Sequence, residues 1–394
     1  MAAETPKDAD STRRSVVVAH PSAELYGSDR QLLETVSGLV EAGWDVQAWL
    51  PQTGPLVAEL EARGASVHVV TFPVLRKSAL RPRALVGLTV EMARSVSGAR
   101  RLLRRDRPTL VLVNTLTIPG WLAAARLAGV RSLCHVHEAE EDQPAIVRLV
   151  LAAPLLLAQG VVANSAAAAA VLGSSLTSLR RRVRVVHNGV PGPPAGSHEL
   201  RGRGPGDSLR IALVGRLSPR KGIDVAVRAV DLLVRRGYDV TLSVCGTVFP
   251  GYEWYEAELR DLGAATALAG RVELAGYVSP TWPELAAADV VLVPSRVEPF
   301  GNTAVEALLA ERPLVASRTQ GLREVVRDGI TGLLVEPGSE VDLADAIARI
   351  ADDHTLARSL AVAGRADALE RFSVDAYRAS MLDAIENTLR EGRA

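Results

Sequence analysis

Two glutamates eight positions apart, Glu298 and Glu306, bracket the turn in EPFGNTAVE, directly after the apolar run Asp289 to Ser295 (DVVLVPS). The run reads as a buried strand, and Gly301 followed by Asn302 and Thr303 reads as the start of a helix. The N–H groups of a helix N-terminus favour a phosphate, and a carboxylate one turn further on can grip ribose hydroxyls. Glu298, on the loop side, would then face a sugar. A capping acid followed by an ordinary surface acid is the alternative. A second stretch, LVGRLSPRKG (213–222), ends a strand at Gly215 and crowds Arg216, Arg220 and Lys221 into a turn before a helix from Ile223. It lacks both the P-loop and the dinucleotide-binding glycine pattern. An arginine fork and a lysine point charge beside a helix N-terminus suit a diphosphate, while a solvated charge cluster is the plain alternative.

Three further strand exits carry polar residues. In SLCHVHEAEED, His135 and His137 alternate along a strand and so share a face, which suits charge stabilisation or proton transfer. Structural histidines, or a metal site with the neighbouring acids, are the other readings. HPSAELYGSDR places Gly27 immediately before a helix, where a ligand could approach the backbone. His187 and Asn188, in VVHNGV, stand at a domain boundary as hinge hydrogen-bonders or ligand contacts.

These exits need elements to hold them. Strand-like and helix-like segments alternate from Ser15 onward: SVVVAH, a helix over 28–43 with Ser28 and Gln31 at capping-box spacing, then DVQAWL, SVHVV, TLVLVNT, SLCHVH, GVVANS and VRVVHN. The alternation restarts with LRIALVG, a helix from Ile223, VTLSVCG, a helix near 253–268, RVELAGY, VVLVPS, a helix from about Thr303, PLVAS and a terminal helix capped by Ser373. Short apolar strands separated by helices mean parallel sheets covered on both faces. The stretch 191–208 contains nine Gly or Pro in 18 positions and reads as a linker. The expected organisation is α/β throughout. A disordered segment 1–14 precedes a first Rossmann-like domain at 15–190, and the linker 191–208 leads to a second at 209–372. A helix at 373–394 crosses back to the first domain. Ligands in such sheets bind outside the carboxyl ends of the strands, so a cleft between the two domains is the expected site.

Composition narrows the function. At 394 residues the chain is long enough for two domains, and its 45 basic residues balance 45 acidic ones, which gives no global field to recruit nucleic acid. Cys134 and Cys245 stand in apolar runs without metal spacing, which points to a reduced, cytoplasmic protein. The N-terminus has no apolar signal-like core, and the most apolar window, Ala145 to Ala163, is too short and interrupted to span a bilayer. Arg94 to Arg107 (RSVSGARRLLRRDR) carries six arginines. It reads as a solvated helix face, or alternatively as a peripheral contact with the inner face of the cell membrane or with an anionic substrate.

Taken together, the motifs resemble the retaining glycosyltransferases with two Rossmann-like domains, the GT-B architecture, and within them glycosyltransferase family 4 (GT4). The resemblance covers about residues 15–390. Its strongest block is VLVPSRVEPFGNTAVEALLAERPLVASRTQGLREVVRDGITGLLVEP (Val291 to Pro337), joined by GRLSPRKG, the Gly27 loop, HVHE and HNGV. The resemblance implies that Arg216 and Lys221, beside Gly215, bind the donor diphosphate, and that Glu306 binds ribose. It implies that Gly301, Asn302 and Thr303 offer backbone N–H groups, and that RVELAGYV (271–278) contacts the base. Glu298 would sit beside the transferred sugar, His137 near its hydroxyls across the cleft, and Gly27 near the diphosphate. No cofactor or metal is implied, because protein cations replace the metal. The implied partners are a nucleotide-sugar donor and a glycan or lipid-linked acceptor, with no nucleic acid. The first-domain loops 71–84 and 138–145 would choose the acceptor. A sugar-nucleotide 2-epimerase of the same fold and a non-catalytic sugar-nucleotide-binding subunit are the competing functions.

Overall fold

A computed structural model describes residues 14–75, 85–139, 141, 143–194, 207–249, 251–265 and 268–391. Residues 1–13 of the expected leader, 195–206 of the linker and part of both acceptor loops lie outside the described residues. By packing, the chain forms two units. Unit 1 runs to Ala163 and adds Ala169–Val186 and the residues from Arg378; unit 2 comprises Asn164–Ala168 and His187–Tyr377.

Unit 1 is built on a seven-stranded parallel sheet ordered β3-β2-β1-β4-β5-β6-β7. The strands are β1 (Ser15–Ala19), β2 (Asp45–Leu50), β3 (Ser66–Val69), β4 (Leu110–Val113), β5 (Arg131–Val136), β6 (Gly160–Ala163) and β7 (Val183–Val185). Val16 to Ala19 and all of β4 are completely buried. Such uninterrupted apolar runs fit only a strand covered by helices on both faces. One face packs around three aromatic rings set edge to face: Trp121 lies 4.9 Å from Trp49 and 5.5 Å from Phe72, centroid to centroid.

Unit 2 repeats the plan with six parallel strands ordered β10-β9-β8-β11-β12-β13. They are β8 (Leu209–Val214), β9 (Val240–Cys245), β10 (Val272–Gly276), β11 (Val290–Val293), β12 (Leu314–Ser317) and β13 (Leu333–Val335). The apolar run of β11 is buried on both sides, between a cluster containing Val230 and Ile347 and one containing Phe300 and Leu308.

Several local expectations change. The first helix spans Gly27–Glu41, with Tyr26 rather than Ser28 as its N-cap. Asp29, three residues on, accepts the Tyr26 N–H at 2.8 Å, so the reciprocal half of the cap comes from a carboxylate and not from Gln31, which is buried. The helix expected near 253–268 ends at Gly263, and β13 lies in a segment with no alternating pattern to mark it. Arg14 does not belong to a loose leader: its carbonyl accepts the Asp45 N–H at 2.9 Å and its guanidinium pairs with Glu386. The units divide at Val186/His187 and not at residue 190. The terminal helix Val374–Arg390 starts in unit 2 with Ser373 Oγ accepting the Ala376 N–H at 3.3 Å. From Arg378 it packs in unit 1, where Arg378 bonds Glu34 and Glu41 at 2.7 and 2.8 Å.

In the basic run, Arg100 donates to the Leu127 carbonyl at 3.2 Å and Arg105 pairs with Asp106 at 2.6 Å. Cations near exposed helix carbonyls are stabilising in their own right, so part of the run has a structural use. No helix among the described residues is long and apolar enough to cross a membrane. Trp121→Ala is expected to cost about 3–5 kcal/mol by opening a cavity between Trp49 and Phe72. Calorimetry should show a transition lowered by roughly 10 °C; a shift under about 2 °C would contradict this account of the unit 1 core.

Candidate functional site

The expected donor-site residues of unit 2 meet at the exits of β8 and β11, which are adjacent in the sheet. After β8, the Gly215 N–H bonds the Cys245 carbonyl at 2.9 Å, and the Lys221 stem runs past Gly215, close enough that a Cβ there would touch its Cδ at 3.6 Å. Arg216 lies over the Phe249 ring, 5.1 Å from its centroid. Gly222 turns the chain into the helix Ile223–Arg235 with φ +65°, and a Cβ would stand 2.0 Å from the Pro294 carbonyl oxygen. Only glycine permits that approach. After β11, Glu298 Oε2 accepts from Lys221 Nζ at 2.5 Å and from Ser295 Oγ at 3.1 Å. Gly301, with φ +112°, caps the helix Asn302–Leu309; a Cβ there would meet Leu322 at 2.6 Å. Asn302, Thr303 and Glu306 follow within the first five residues of that helix, and Asn302 Oδ1 accepts from Asn188 Nδ2 at 2.8 Å.

Beneath this surface lies a network that sequence reasoning missed. The Arg296 guanidinium grips Asp224 with two bonds of 2.8 Å, and its Nη1 also donates to the Pro219 carbonyl at 2.8 Å. The Arg296 N–H donates to the Arg220 carbonyl at 2.8 Å. Tyr255 donates its hydroxyl to Asp224 at 2.7 Å and accepts the Asp224 N–H at 3.2 Å. Burial alone would raise the Asp224 pKa, but bonds from Arg296 and Tyr255 and the charges of Arg296 and Arg228 outweigh it and bring it to about 2. The β11 exit loop therefore holds the β8 exit loop in place. The only sequence signal was an acid in a helix first turn, which reads as an ordinary dipole partner.

His187 and Asn188 both make side-chain hydrogen bonds within unit 2. His187 Nε2 lies 3.2 Å from Glu324, whose carboxylate also accepts the Ala166 and Ala167 N–H groups at 2.8 Å each. Burial would push Glu324 up, but these bonds hold it below the usual carboxylate range.

In unit 1, the exits of the adjacent strands β1, β4 and β5 carry His20, Asn114 and His137. His137 Nε2 is 3.0 Å from Asn114 Oδ1, Asn114 Nδ2 is 3.0 Å from His20 Nδ1, and His20 Nε2 is 2.7 Å from Asp29 Oδ1. Of these four, only His137 was singled out by sequence, because polar residues at β1 and β4 exits resemble ordinary loop starts. Gly27 is the first residue of the helix that supplies Asp29. His135 is fully buried with its ring 4.0 Å from that of His137. Burial, together with the neighbouring His137, holds the His135 pKa well below normal. Burial and repulsion from His20 lower His137 to about 3, with Asp29 opposing. Both imidazoles are neutral at physiological pH. The metal reading of His135, His137 and the acids has no support among the described residues, where no group of three or more His, Cys, Asp or Glu is placed to hold an ion.

Asp224→Asn keeps the shape of the network and removes its charge. A folded-state pKa near 2 against about 3.9 in the unfolded chain contributes about 2 kcal/mol. That contribution is present above about pH 4 and is lost as pH falls from there toward about 2. The variant should be less stable than wild type by that amount at neutral pH, and denaturant midpoints of the two should converge on acidification. A pH-independent difference would contradict the assignment.

Two family models match the chain: Glycosyltransferase Family 4 over residues 26–191 and Glycosyl transferases group 1 over residues 208–353. The D-inositol 3-phosphate glycosyltransferase of Nocardia farcinica is 30% identical over 377 residues, covering 86% of this chain and 80% of that protein. The enzyme of that name from Actinosynnema mirum is 32% identical, covering 84% and 85%. Among solved structures, Anabaena Alr3699/HepE in complex with UDP and glucose superposes with a TM-score of 0.79 at 23% identity, covering 94% of this chain and 99% of that one. The lipopolysaccharide outer core galactosyltransferase WaaB gives 0.73 at 16% identity, covering 95% and 99%. Two doubly covered parallel sheets, the loops at the exits of β8 and β11, and these relatives lead to one conclusion: the chain is a glycosyltransferase of family 4 with the GT-B fold.

Proposed function

We propose that the protein transfers a sugar from a nucleoside-diphosphate sugar to a hydroxyl with retention of anomeric configuration, protein cations serving where other transferases use a metal. The observation that carries the reading is the Lys221–Glu298 contact of 2.5 Å beside the Gly301 helix N-terminus. It brings a cation, a carboxylate and free N–H groups to one pair of strand exits. Lys221, Arg216 and the N–H groups of Gly301, Asn302 and Thr303 would stabilise charge developing on the leaving diphosphate. Glu306 would hold the ribose and Glu298 a sugar hydroxyl. Gly215 and Gly27 would leave room for the diphosphate, and His137 would bond a sugar hydroxyl. Retention would follow from attack by the acceptor on the face the diphosphate leaves. A double displacement like that of retaining glycosidases would need a second carboxylate at the sugar, and Glu306 is assigned to ribose.

Thermal shift with UDP, GDP, ADP and dTDP, each with and without magnesium, tests the donor. UDP is the first choice because the similar Anabaena structure contains UDP and glucose. One diphosphate should raise the midpoint by about 5–10 °C at 100-fold excess over its Kd without metal; an absolute need for magnesium would refute the metal-free reading. Lys221→Ala should lower turnover about 10²–10³-fold, and near-wild-type turnover would remove Lys221 from the diphosphate. Release of nucleotide and free sugar regardless of acceptor would favour the epimerase reading instead.

A lipid-linked or cell-envelope glycan remains the proposed acceptor class, and the names of the Nocardia and Actinosynnema relatives add a polyol phosphate to the candidates. The lipid-linked version rests on the exposed Arg94, Arg101 and Arg107, which have no carboxylate partner among the described residues. Replacing these three by alanine should reduce sedimentation with anionic vesicles; unchanged partition would leave the basic helix a solvated face.

A further inference from the structure

We propose that a basic recess at the amino-terminal end of the unit 1 sheet binds a compact anion carrying two or more phosphate charges. The recess has a volume of about 860 Å³, the size of a small-molecule site. It lies where β1, β4 and β5 begin, at the opposite end of those strands from His20, Asn114 and His137. Five guanidinium groups line it, those of Arg14, Arg104, Arg107, Arg131 and Arg390, against the single carboxylate of Glu386.

Part of that charge complements helix ends. The helices Leu85–Asp106, Gly120–Ala128 and Val374–Arg390 all terminate at the recess. Arg104 donates to the Leu127 carbonyl at 3.5 Å, Arg131 donates to the Leu389 carbonyl, and Arg14 pairs with Glu386. A helix C-terminus carries about half a negative charge, so three of them and Glu386 offset about half of the positive charge. In a chain with no net charge, a local surplus of about two remains. It sits on Arg107 and Arg390, whose side chains have no carboxylate partner among the described residues. Leu103, Pro108 and Val130 form apolar walls, and low-dielectric walls around like charges focus their field.

The backbone adds a second argument. Arg107 follows the helix Leu85–Asp106 with φ +44°, the left-handed position that glycine ordinarily fills. In the same recess the helix Gly120–Ala128 ends in that ordinary way, on Gly129 at φ +75°. The Arg107 N–H bonds the Leu103 carbonyl at 3.0 Å, as the N–H of a glycine would. The helix end therefore needs no side chain there, yet a guanidinium is held at the recess against the local backbone preference. Thr109 adds a neutral donor. Its hydroxyl oxygen accepts the Ser15 N–H at 3.3 Å, which leaves its own proton for a ligand. Guanidinium forks match phosphate oxygens, and two phosphate charges would answer the surplus. A soluble polyphosphate and a lipid phosphomonoester share this chemistry.

Hydrogen exchange of the full-length protein with inorganic tripolyphosphate tests the site. Residues 104–109 and 128–131 should exchange more slowly with the probe, in wild type and in Lys221→Ala alike, because the readout is local to unit 1. Arg107→Gly and Arg390→Gln should each weaken the binding about 10–100-fold, and added salt should weaken it further. Without the probe, Arg107→Gly should melt at the wild-type midpoint or above it, since glycine suits the turn. A lowered midpoint would show that the arginine serves the fold, and overturns the inference. Vesicles containing phosphatidic acid form the second arm. Protection of the same segments by vesicles, lost in the same two variants, assigns the phosphate to a lipid; protection by tripolyphosphate alone assigns it to a soluble anion. No protection with either probe, or protection that persists in both variants, overturns the inference.

Discussion

The Asp224–Arg296 pair is the interaction on which the geometry of the β8 and β11 exits in unit 2 depends. Withdrawing the Asp224 carboxylate from water is costly, and the cost is offset only where geometry is good and the remaining lone pairs are used. Both conditions hold: the grip is bidentate at 2.8 Å, and Tyr255 and Arg228 take further positions on the same carboxylate. Because Arg296 also donates to the Pro219 carbonyl, the pair does more than neutralise itself. It fixes the turn 219–221 from below and thereby sets where Lys221 can reach. Loss of Arg296 would leave the buried Asp224 carboxylate without its bidentate partner and release that turn, so the ion pair specifies position as well as adding stability.

The same architectural rule organises both units. In the order β3-β2-β1-β4 and again in β10-β9-β8-β11, the first strand of each unit has its sequence successor on one side and a later strand on the other. At such a reversal the helices after adjacent strands leave on opposite faces and their loops part, which opens room at the carboxyl ends. Unit 2 fills that position with the Gly215–Lys221 and Ser295–Gly301 loops, and unit 1 with His20, Asn114 and His137. The central strands β4 and β11 are apolar along their whole length, and β1 from Val16 onward, so their polar neighbours gather at the strand exits.

What the sequence made legible follows from this. Strands such as VVLV and the glycines at 222 and 301 declare themselves locally, through composition and through positions that tolerate no Cβ. Lys221 and Glu298 were each recognisable as strand-exit charges. Their direct contact was not, because it joins residues 77 apart in the chain. Asp224 and Tyr255 carry no local signal that pairs them with Arg296, because they lie 72 and 41 residues from it in the chain. His20 and Asp29 fell inside a loop noticed for its glycine. Ser28 and Gln31 had the capping-box spacing, but the acceptor that reaches back is the Asp29 carboxylate, which a search for Ser or Thr followed by Glu or Gln passes over. The domain boundary was drawn at the glycine- and proline-rich segment. Hydrogen bonds of His187 and Asn188 to Glu324 and Asn302 place it earlier.

On the proposed reading, the Lys221–Glu298 contact also shapes donor choice. The lysine charge is already met by Glu298 at 2.5 Å, with Ser295 donating to the same oxygen. A diphosphate entering beside Lys221 brings a second anion to one cation, and the partly desolvated Glu298 loses part of its compensation. Sugar hydroxyls donated to Glu298 would restore it. A nucleoside diphosphate alone supplies the charge without the hydroxyl donors, while an intact nucleotide sugar supplies both. On that reading the ion pair would disfavour the diphosphate alone relative to the sugar-bearing donor.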